Sequence, residues 1–160
     1  MSWNIIIISG GQTGADRAAL DFAIKCDTPH GGWCPKDRTA LDGPLDSKYK
    51  LKETPSEDYA ERIEWNVRDS DATVVFSFAD KPSLSSKKTV TVARKIKKPF
   101  IHLHRGILGV PEKLIAFIDK HYVRRLNITG SSEAEEPGLY DWVTNVLERT
   151  KVTMEKMGDR

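Results

Sequence analysis

Blocks of apolar residues recur along the chain, and their spacing predicts strands that alternate with helices. The first block, Ile5 to Ile8, is β-branched and apolar on both faces, as expected for a strand buried between two helical layers. From Ala15 the apolar residues follow a helical spacing instead and form one apolar face that includes Phe22. Further buried strands are predicted at Ala72–Phe78, Pro99–His104 and Val123–Ile128.

Helix-start signals lie between these strands. Thr54 fits the N-cap of a helix, Pro55 its first position and Glu57 its third, which completes a capping box. Because strands and helices alternate with short connections, the pattern predicts a single α/β domain over residues 1–160, with a mostly parallel sheet and helices on both faces. The later helices are predicted from about Lys88 to Lys97, from Val110-Pro111 and from near Pro137-Gly138.

The exception to the short connections is the segment 37–53. It is polar, and Asp42-Gly43-Pro44 within it is typical of a turn. At about 17 residues it is longer than most connections within a domain, and such long connections often serve as lids or binding loops. We therefore expect a surface loop with a binding role.

The first strand ends in a glycine-rich loop, in which Ser9-Gly10-Gly11 is followed by Gly14 and then by the first helix. Glycine allows positive φ and a close backbone approach, and a helix N-terminus presents free N–H groups where its dipole favours an anion. These features indicate a phosphate-binding loop, with Arg17 as a bidentate partner of the phosphate. The alternative is that the glycines only form a tight turn between strand and helix.

This loop matches neither of the two common nucleotide-binding motifs. No Gly-Lys-Ser/Thr ends it, which excludes a P-loop, and it is not Gly-x-Gly-x-x-Gly. No acidic residue closes the second strand to hold a ribose, so a standard nicotinamide dehydrogenase is not expected. Asp16 is unfavourable beside an anion and is expected to orient Arg17 or to cap backbone N–H groups.

Other loops also follow predicted strands, and parallel sheets bind ligands beyond the carboxyl ends of their strands. Trp33 and Lys36 lie in the loop after the second strand, where the indole can stack on a ring and the ammonium can reach a phosphate. The alternative for Trp33 is a packing anchor. Ser86 and Thr89 lie near the start of the helix that follows Phe78, which is another position suited to an anion.

Composition mainly excludes classes of protein. A hydrophobic content of 39% and a charged content of 30% fit a globular protein, and no apolar run is long enough to span a membrane. The N-terminus lacks the pattern of a signal peptide, so a cytoplasmic location is expected. The net charge of +2 is too small to favour nucleic acid. Cys26 and Cys34 have no metal-ligand spacing, so no metal site is predicted.

The distribution of charge adds one observation. No Asp or Glu occurs between Lys81 and Pro111, and basic residues recur from Lys81 to Arg105. The stretch is either a solvated helix face or a region that attracts an anionic ligand.

Several motifs of the chain resemble those of the putative molybdenum carrier family. They are spread over nearly the whole sequence and are Ser9–Asp21, Gly31–Lys36, Asp42–Pro44, Glu53–Ser56, Glu64–Thr73, Leu126–Gly130 and Pro137–Tyr140. The resemblance implies a Rossmann-like three-layer sandwich and a homo-oligomer, either a dimer or a tetramer. It also implies the binding of molybdenum cofactor, a phosphorylated pterin.

That family is similar in fold to the "lonely guy" phosphoribohydrolases, which cleave a base from a nucleoside monophosphate. Those enzymes carry a second motif, Pro-Gly-Gly-x-Gly-Thr-x-x-Glu, that supplies phosphate contacts and a catalytic acid. The corresponding segment here, Leu84–Thr91, has neither the glycine pair nor the glutamate. This departure argues against hydrolysis and against a standard second phosphate loop.

Together the motifs predict a binding protein rather than an enzyme, with no catalytic residues and with molybdenum cofactor or a nucleotide as its ligand. The alternatives are nucleotide hydrolysis, with Asp16 or Asp69 as the acid, and nucleotide sensing through partners. The predicted binding residues are Gly10, Gly11, Gln12, Thr13, Gly14, Arg17, Gly32, Trp33, Lys36, Ser86 and Thr89.

Overall fold

The computed structural model describes residues 2–158 and has a five-stranded parallel sheet at its centre. The strand order is β2-β1-β7-β5-β6, and a separate two-stranded parallel sheet pairs β3 with β4. The strands are β1 Ile6–Ile8, β2 His30–Gly31, β3 Trp33–Cys34, β4 Lys52–Glu53, β5 Ala72–Ser77, β6 Phe100–His104 and β7 Arg125–Gly130. The helices are α1 Ala15–Lys25, α2 Tyr59–Arg68, α3 Leu84–Lys95, α4 Val110–Lys120 and α5 Leu139–Gly158, with a short 3-10 helix at Lys36–Arg38.

The two faces of the sheet present different side chains. Ile5 and Ile7 pack in the main hydrophobic core with residues of α1, α4 and α5. Ile6 and Ile8 point to the other face, because side chains alternate along a strand. The helices α2 and α3 contact each other and lie on this second face. The predicted three-layer α/β sandwich with a mostly parallel sheet is therefore confirmed. Among residues 2–158, no helix is both long and apolar enough to cross a membrane.

The predicted capping box at Thr54 is wrong. The helix α2 begins later, at Tyr59, and its N-cap is Asp58, whose carboxylate accepts the backbone N–H of Ala60 at 2.9 Å. Thr54 continues the β3–β4 pairing instead, since its backbone N–H donates to the carbonyl of Cys34 at 2.8 Å. A strand hydrogen bond therefore overrides the local helix-start signal.

Two other segments also differ from the predictions. The helix α3 begins four residues before the predicted Lys88, because the hydroxyl of Ser83 accepts the backbone N–H of Ser86 at 3.3 Å and caps the helix there. The segment 37–53, called the strap below, ends in strand β4. Leu45 and Tyr49 of the strap are buried in a small hydrophobic cluster. The strap is thus a packed segment rather than an open loop.

Candidate functional site

A cavity, which we call the main cavity because of its position, lies at the carboxyl edge of the sheet, where β1 and β7 end. Its volume is about 380 Å³. Parallel α/β sheets bind their ligands at this edge, so the position agrees with the expected site. The glycine-rich loop, α1 and the strap contribute Gln12, Asp16 and Leu41, α2 contributes Tyr59, Arg62 and Ile63, α3 contributes Ser85, Ser86 and Thr89, and β7 with the loop after it contributes Thr129, Gly130, Ser132, Ala134 and Glu135.

A buried ion pair lies in the wall of this cavity. Arg62 Nη1 donates to Asp16 Oδ2 at 3.1 Å, and the two side chains are only 9% and 1% exposed. Within residues 2–158, Asp16 Oδ1 and Arg62 Nε have no hydrogen-bond partner. Buried polar atoms of native proteins almost always have a partner, which can be a protein group, an ordered water or a ligand. Burial raises the pKa of Asp16, and the attraction of Arg62 offsets this only in part.

The position of Arg62 also explains why the first residue of the Gly10-Gly11 pair has to be a glycine. A Cβ at Gly10 would overlap Nη1 of Arg62 and would lie 2.9 Å from its Cζ. The guanidinium therefore lies directly against the backbone of the loop, and it also lies 5.2 Å from the ring centroid of Tyr59. Within the main cavity, the cation next to the glycine-rich loop is therefore Arg62 of α2 and not Arg17 of α1.

Two N–H groups of the glycine-rich loop already have partners inside the protein. The N–H of Gln12 donates to Asp16 Oδ2 at 3.3 Å, and that of Thr13 donates to Gln12 Oε1 at 3.0 Å. The other two glycines face protein segments: a Cβ at Gly11 would lie 2.7 Å from Leu45, and one at Gly14 would lie 2.8 Å from the backbone nitrogen of Glu133. Phosphate binding by this loop stays a prediction.

Arg17 ties the strap to the glycine-rich loop. Its guanidinium makes two hydrogen bonds to the carboxylate of Asp42, at 2.8 and 2.9 Å, and two to the carbonyl of Gly11, at 3.1 and 3.2 Å. The hydrogen bond from Arg17 to the carboxylate is the main reason why the pKa of Asp42 is lowered. The strap is also bonded to α1, because the hydroxyl of Tyr49 donates to Asp21 at 2.6 Å.

Within the strap, Arg38 holds the backbone in its curved path. Its side chain donates to the carbonyls of four strap residues at distances from 2.7 to 3.4 Å, and it is half-buried. A single guanidinium therefore replaces a regular hydrogen-bond ladder in this segment. The four carbonyls belong to Leu45, Asp46, Tyr49 and Leu51.

We expect Arg38→Ala to loosen the strap and to lower the free energy of unfolding by about 2 kcal/mol, since half-buried carbonyls lose a charged donor. Limited proteolysis should then cut within the segment 37–53 several times faster than in the parent protein. Lys36→Ala is the matched control, because Lys36 is exposed and its side chain makes no hydrogen bond to the described residues. Equal cleavage rates in the two variants would contradict this role of Arg38.

The structure separates the predicted binding residues into groups. Gln12, Ser86 and Thr89 line the main cavity. Thr13, Gly14 and Arg17 line a neighbouring cavity of about 620 Å³, which shares Leu41 and Ala134 with the main one. Gly32 and Trp33 line a third cavity of about 270 Å³. Gly10, Gly11 and Lys36 line none of these three.

Sequence reasoning missed Arg62, Tyr59 and Glu135. In the sequence, Arg62 looks like a surface residue, because it lies in a polar segment of the helix. The only signal of its burial is its position next to Ile63, an apolar residue that is buried in α2. Glu135 lies in the loop after β7 and accepts hydrogen bonds from the N–H of Ser132 at 2.9 Å and the hydroxyl of Ser85 at 3.0 Å. The start of α3, predicted as an anion site, thus already contacts a carboxylate.

The charges of the main cavity are mixed. Two carboxylates, of Asp16 and Glu135, face one guanidinium, that of Arg62, and the remaining polar residues are hydroxyls and the amide of Gln12. Among residues 2–158, no group of three or more His, Cys, Asp or Glu side chains converges as a metal site. The cavity therefore offers one cation for an anionic group and several acceptors for N–H groups of a ligand.

Comparison with known proteins agrees with this architecture. The family model described as "Circularly permutated YpsA SLOG family" matches residues 7–151. A crystal structure of a protein named "Putative molybdenum carrier protein" from Syntrophus aciditrophicus SB is 41% identical in sequence, with a TM-score of 0.87. The similarity covers 92% of this chain and 95% of that chain. No match was found among curated proteins. The resemblance predicted from the sequence motifs is confirmed.

Proposed function

Because the chain belongs to the circularly permutated YpsA SLOG family, we propose that it is a binding or carrier protein for a phosphorylated heterocycle, with molybdenum cofactor as the leading candidate. The name of the crystallised relative, a molybdenum carrier protein, supports the choice of cargo. A homo-oligomer and a cytoplasmic location are part of the same proposal.

The observation that carries the proposal is the buried pair Asp16–Arg62 with its two unpartnered atoms. Both residues line one cavity, and a ligand that offers an N–H group and an acidic oxygen would complement the carboxylate and the guanidinium. A phosphorylated pterin or purine has both. Arg62 would meet the phosphate, and Asp16 would accept from a ring N–H.

The size of the cavity fits this class of ligand. About 380 Å³ lies within the range of small-molecule sites, and the neighbouring cavity, which shares the lining residues Leu41 and Ala134, adds further room. The exposed side chain of Leu41, 61% accessible, would cover the apolar face of a ring at the entrance. A ligand of two parts, such as a pterin with its phosphorylated arm, would use both cavities.

Ala134→Trp tests the position of the site without removing any contact of the protein. Ala134 is exposed and lines both cavities, so an indole there would take up space in each of them. We expect the affinity for a pterin phosphate, such as neopterin monophosphate, to fall at least about tenfold by titration calorimetry, because the ligand loses most of its contact area.

Ala116→Trp provides the matched control, since Ala116 is exposed on α4 and lines none of the cavities described above. Its affinity should equal that of the parent protein. Neopterin without phosphate should bind more weakly than the phosphate ester if Arg62 meets the phosphate. An unchanged affinity in Ala134→Trp would exclude the main cavity as the site.

Nucleotide hydrolysis is the second candidate function, and one observation favours it. Asp16 lies in the main cavity with a raised pKa, as general acids of hydrolases often do. The other candidate acid, Asp69, lines the third cavity and is bonded to Arg68. Release of free base from AMP or GMP, retained by Asp69→Asn and abolished in Asp16→Asn that keeps the circular dichroism spectrum of the parent protein, would establish this activity. No release by the parent protein would exclude it for these substrates.

A further inference from the structure

The third cavity lies beside the edge strand β2, on the sheet face opposite α1. We call it the β2 cavity. Ile6 and Ile8 form its floor, whereas Ile5 and Ile7 pack on the α1 side. Its volume is about 270 Å³, and it shares no lining residue with the main cavity. Any molecule bound here would therefore occupy a separate site.

Positive charge dominates the lining of the β2 cavity. Three of its lining residues are cationic, namely Lys50, Lys52 and Arg125, and none of them forms an ion pair within residues 2–158. The acidic lining residue is Asp69, which is already neutralised by Arg68 at 2.8 Å. The cavity thus has unbalanced positive charge next to an apolar floor.

Contacts within the protein hold two of these groups in place. Arg125 pairs with Ile6 across the sheet, which puts its side chain on the cavity face, and its Nε donates to the carbonyl of Asp69 at 2.8 Å. Lys52 lies beside Trp33 in the β3–β4 pair, with its ammonium 5.7 Å from the indole ring centroid. The indole N–H donates to the carboxylate of Asp69 at 2.8 Å. The cavity wall is therefore ordered before any ligand arrives.

We propose that the β2 cavity is a second ligand site, which binds the phosphate or sulfate group of a small molecule. A tetrahedral dianion suits an arginine and two lysines that have no carboxylate partner, because a charge-assisted hydrogen bond is stronger than one between neutral groups. The free guanidinium nitrogens of Arg125 and the ammonium of Lys52 contact the oxyanion. The apolar floor of Ile6 and Ile8 leaves room for a small organic part.

Gly31 allows a sharp test. It pairs with Ile8 across the sheet, so a side chain at this position would enter the cavity, and a Cβ there meets no atom within 4 Å. Gly31→Glu places a carboxylate where the oxyanion binds, and Gly31→Gln adds the same volume without charge. Lys113→Ala removes an exposed lysine of α4 that does not line the cavity. The three variants separate charge, volume and general electrostatics.

The experiment is a titration of ¹⁵N-labelled full-length protein with sodium phosphate, sodium sulfate or phenyl phosphate, at constant ionic strength kept with sodium chloride. The indole N–H signal of Trp33, assigned by its loss in Trp33→Phe, should shift and saturate. We expect at least about tenfold weaker binding in Gly31→Glu, about fivefold in Arg125→Gln or Lys52→Gln, and no change in Lys113→Ala.

Two results would overturn the proposal. One is an equal shift with sodium acetate, or no saturation with any of the three oxyanions. The other is a saturable shift that persists unchanged in Gly31→Glu, or that is confined to residues of the main cavity such as Gln12 and Ser86. Tighter binding of phenyl phosphate than of inorganic phosphate would show that the site uses its apolar floor and takes an ester.

Discussion

Arg62→Ala is expected to lower the free energy of unfolding by about 3–5 kcal/mol, because it leaves the carboxylate of Asp16 buried without its cation. Loss of one partner of a buried ion pair costs far more than the pair itself contributes, since the remaining charge stays out of water. Urea unfolding followed by circular dichroism at neutral pH measures the difference.

Arg68→Ala is the matched control on the same helix. Arg68 also pairs with an aspartate, but the two side chains are 50% and 35% exposed, so this pair should contribute at most about 1 kcal/mol. The double variant Asp16→Asn/Arg62→Met removes both buried charges and should be more stable than Arg62→Ala alone. An equal loss in Arg62→Ala and Arg68→Ala would contradict the buried pair.

The loss caused by Arg62→Ala should depend on pH in a defined direction. Burial raises the pKa of Asp16 in the folded protein, so the folded state binds more protons than the unfolded state between the usual aspartate pKa and the raised one. The contribution of Asp16 to the free energy of unfolding therefore falls as the pH rises from the usual aspartate pKa to the raised one. Removal of Arg62 raises the pKa further, so the variant should recover part of its stability as pH is lowered towards the usual aspartate value.

Gly14→Ala is expected to cost about 3 kcal/mol or more, because it combines two unfavourable terms. Gly14 has φ of 82°, which L-residues rarely adopt, and a Cβ there would overlap the carbonyl oxygen of Ser131 and lie 2.8 Å from the backbone nitrogen of Glu133. Both contacts are to backbone, which cannot move aside as a flexible side chain can. Thermal and urea unfolding measure the loss.

Gly43→Ala separates strain from overlap. Gly43 also has a positive φ, of 109°, but a Cβ there meets no atom within 4 Å. We expect it to cost only about 1–2 kcal/mol, from backbone strain alone. Similar losses in the two variants would show that the approach of the loop after β7 to Gly14 is not what requires a glycine.

The strand, loop and helix at the start of the chain follow from the sequence because their signals are local. Four isoleucines, a glycine-rich turn and a helical apolar face lie within a short segment, and the structure has β1, the turn and α1 there. The parallel sheet follows from the alternation of elements. The helix boundary at Thr54 does not, because the strand hydrogen bond to Cys34 depends on a segment 20 residues away.

The candidate site depends on contacts that no local pattern contains. Asp16 and Arg62 are separated by 46 positions, and only the packing of α2 over the glycine-rich loop brings them together. Trp33, predicted to cover the same ligand as the loop, points instead into the β2 cavity because its indole is bonded to Asp69. Arg17 has the local signal of an anion ligand, but its guanidinium is bonded to Asp42 of the strap.

Native mass spectrometry tests the central claim, that the main cavity binds a phosphorylated heterocycle, most directly. The parent protein, Ala134→Trp and Ala116→Trp are purified without added ligand from a host that makes molybdenum cofactor. We predict a bound mass of a pterin phosphate, with or without molybdenum, on the parent and on Ala116→Trp but not on Ala134→Trp; the same spectra count the chains in the assembly. An empty parent protein, or the same bound mass on Ala134→Trp, would contradict the claim.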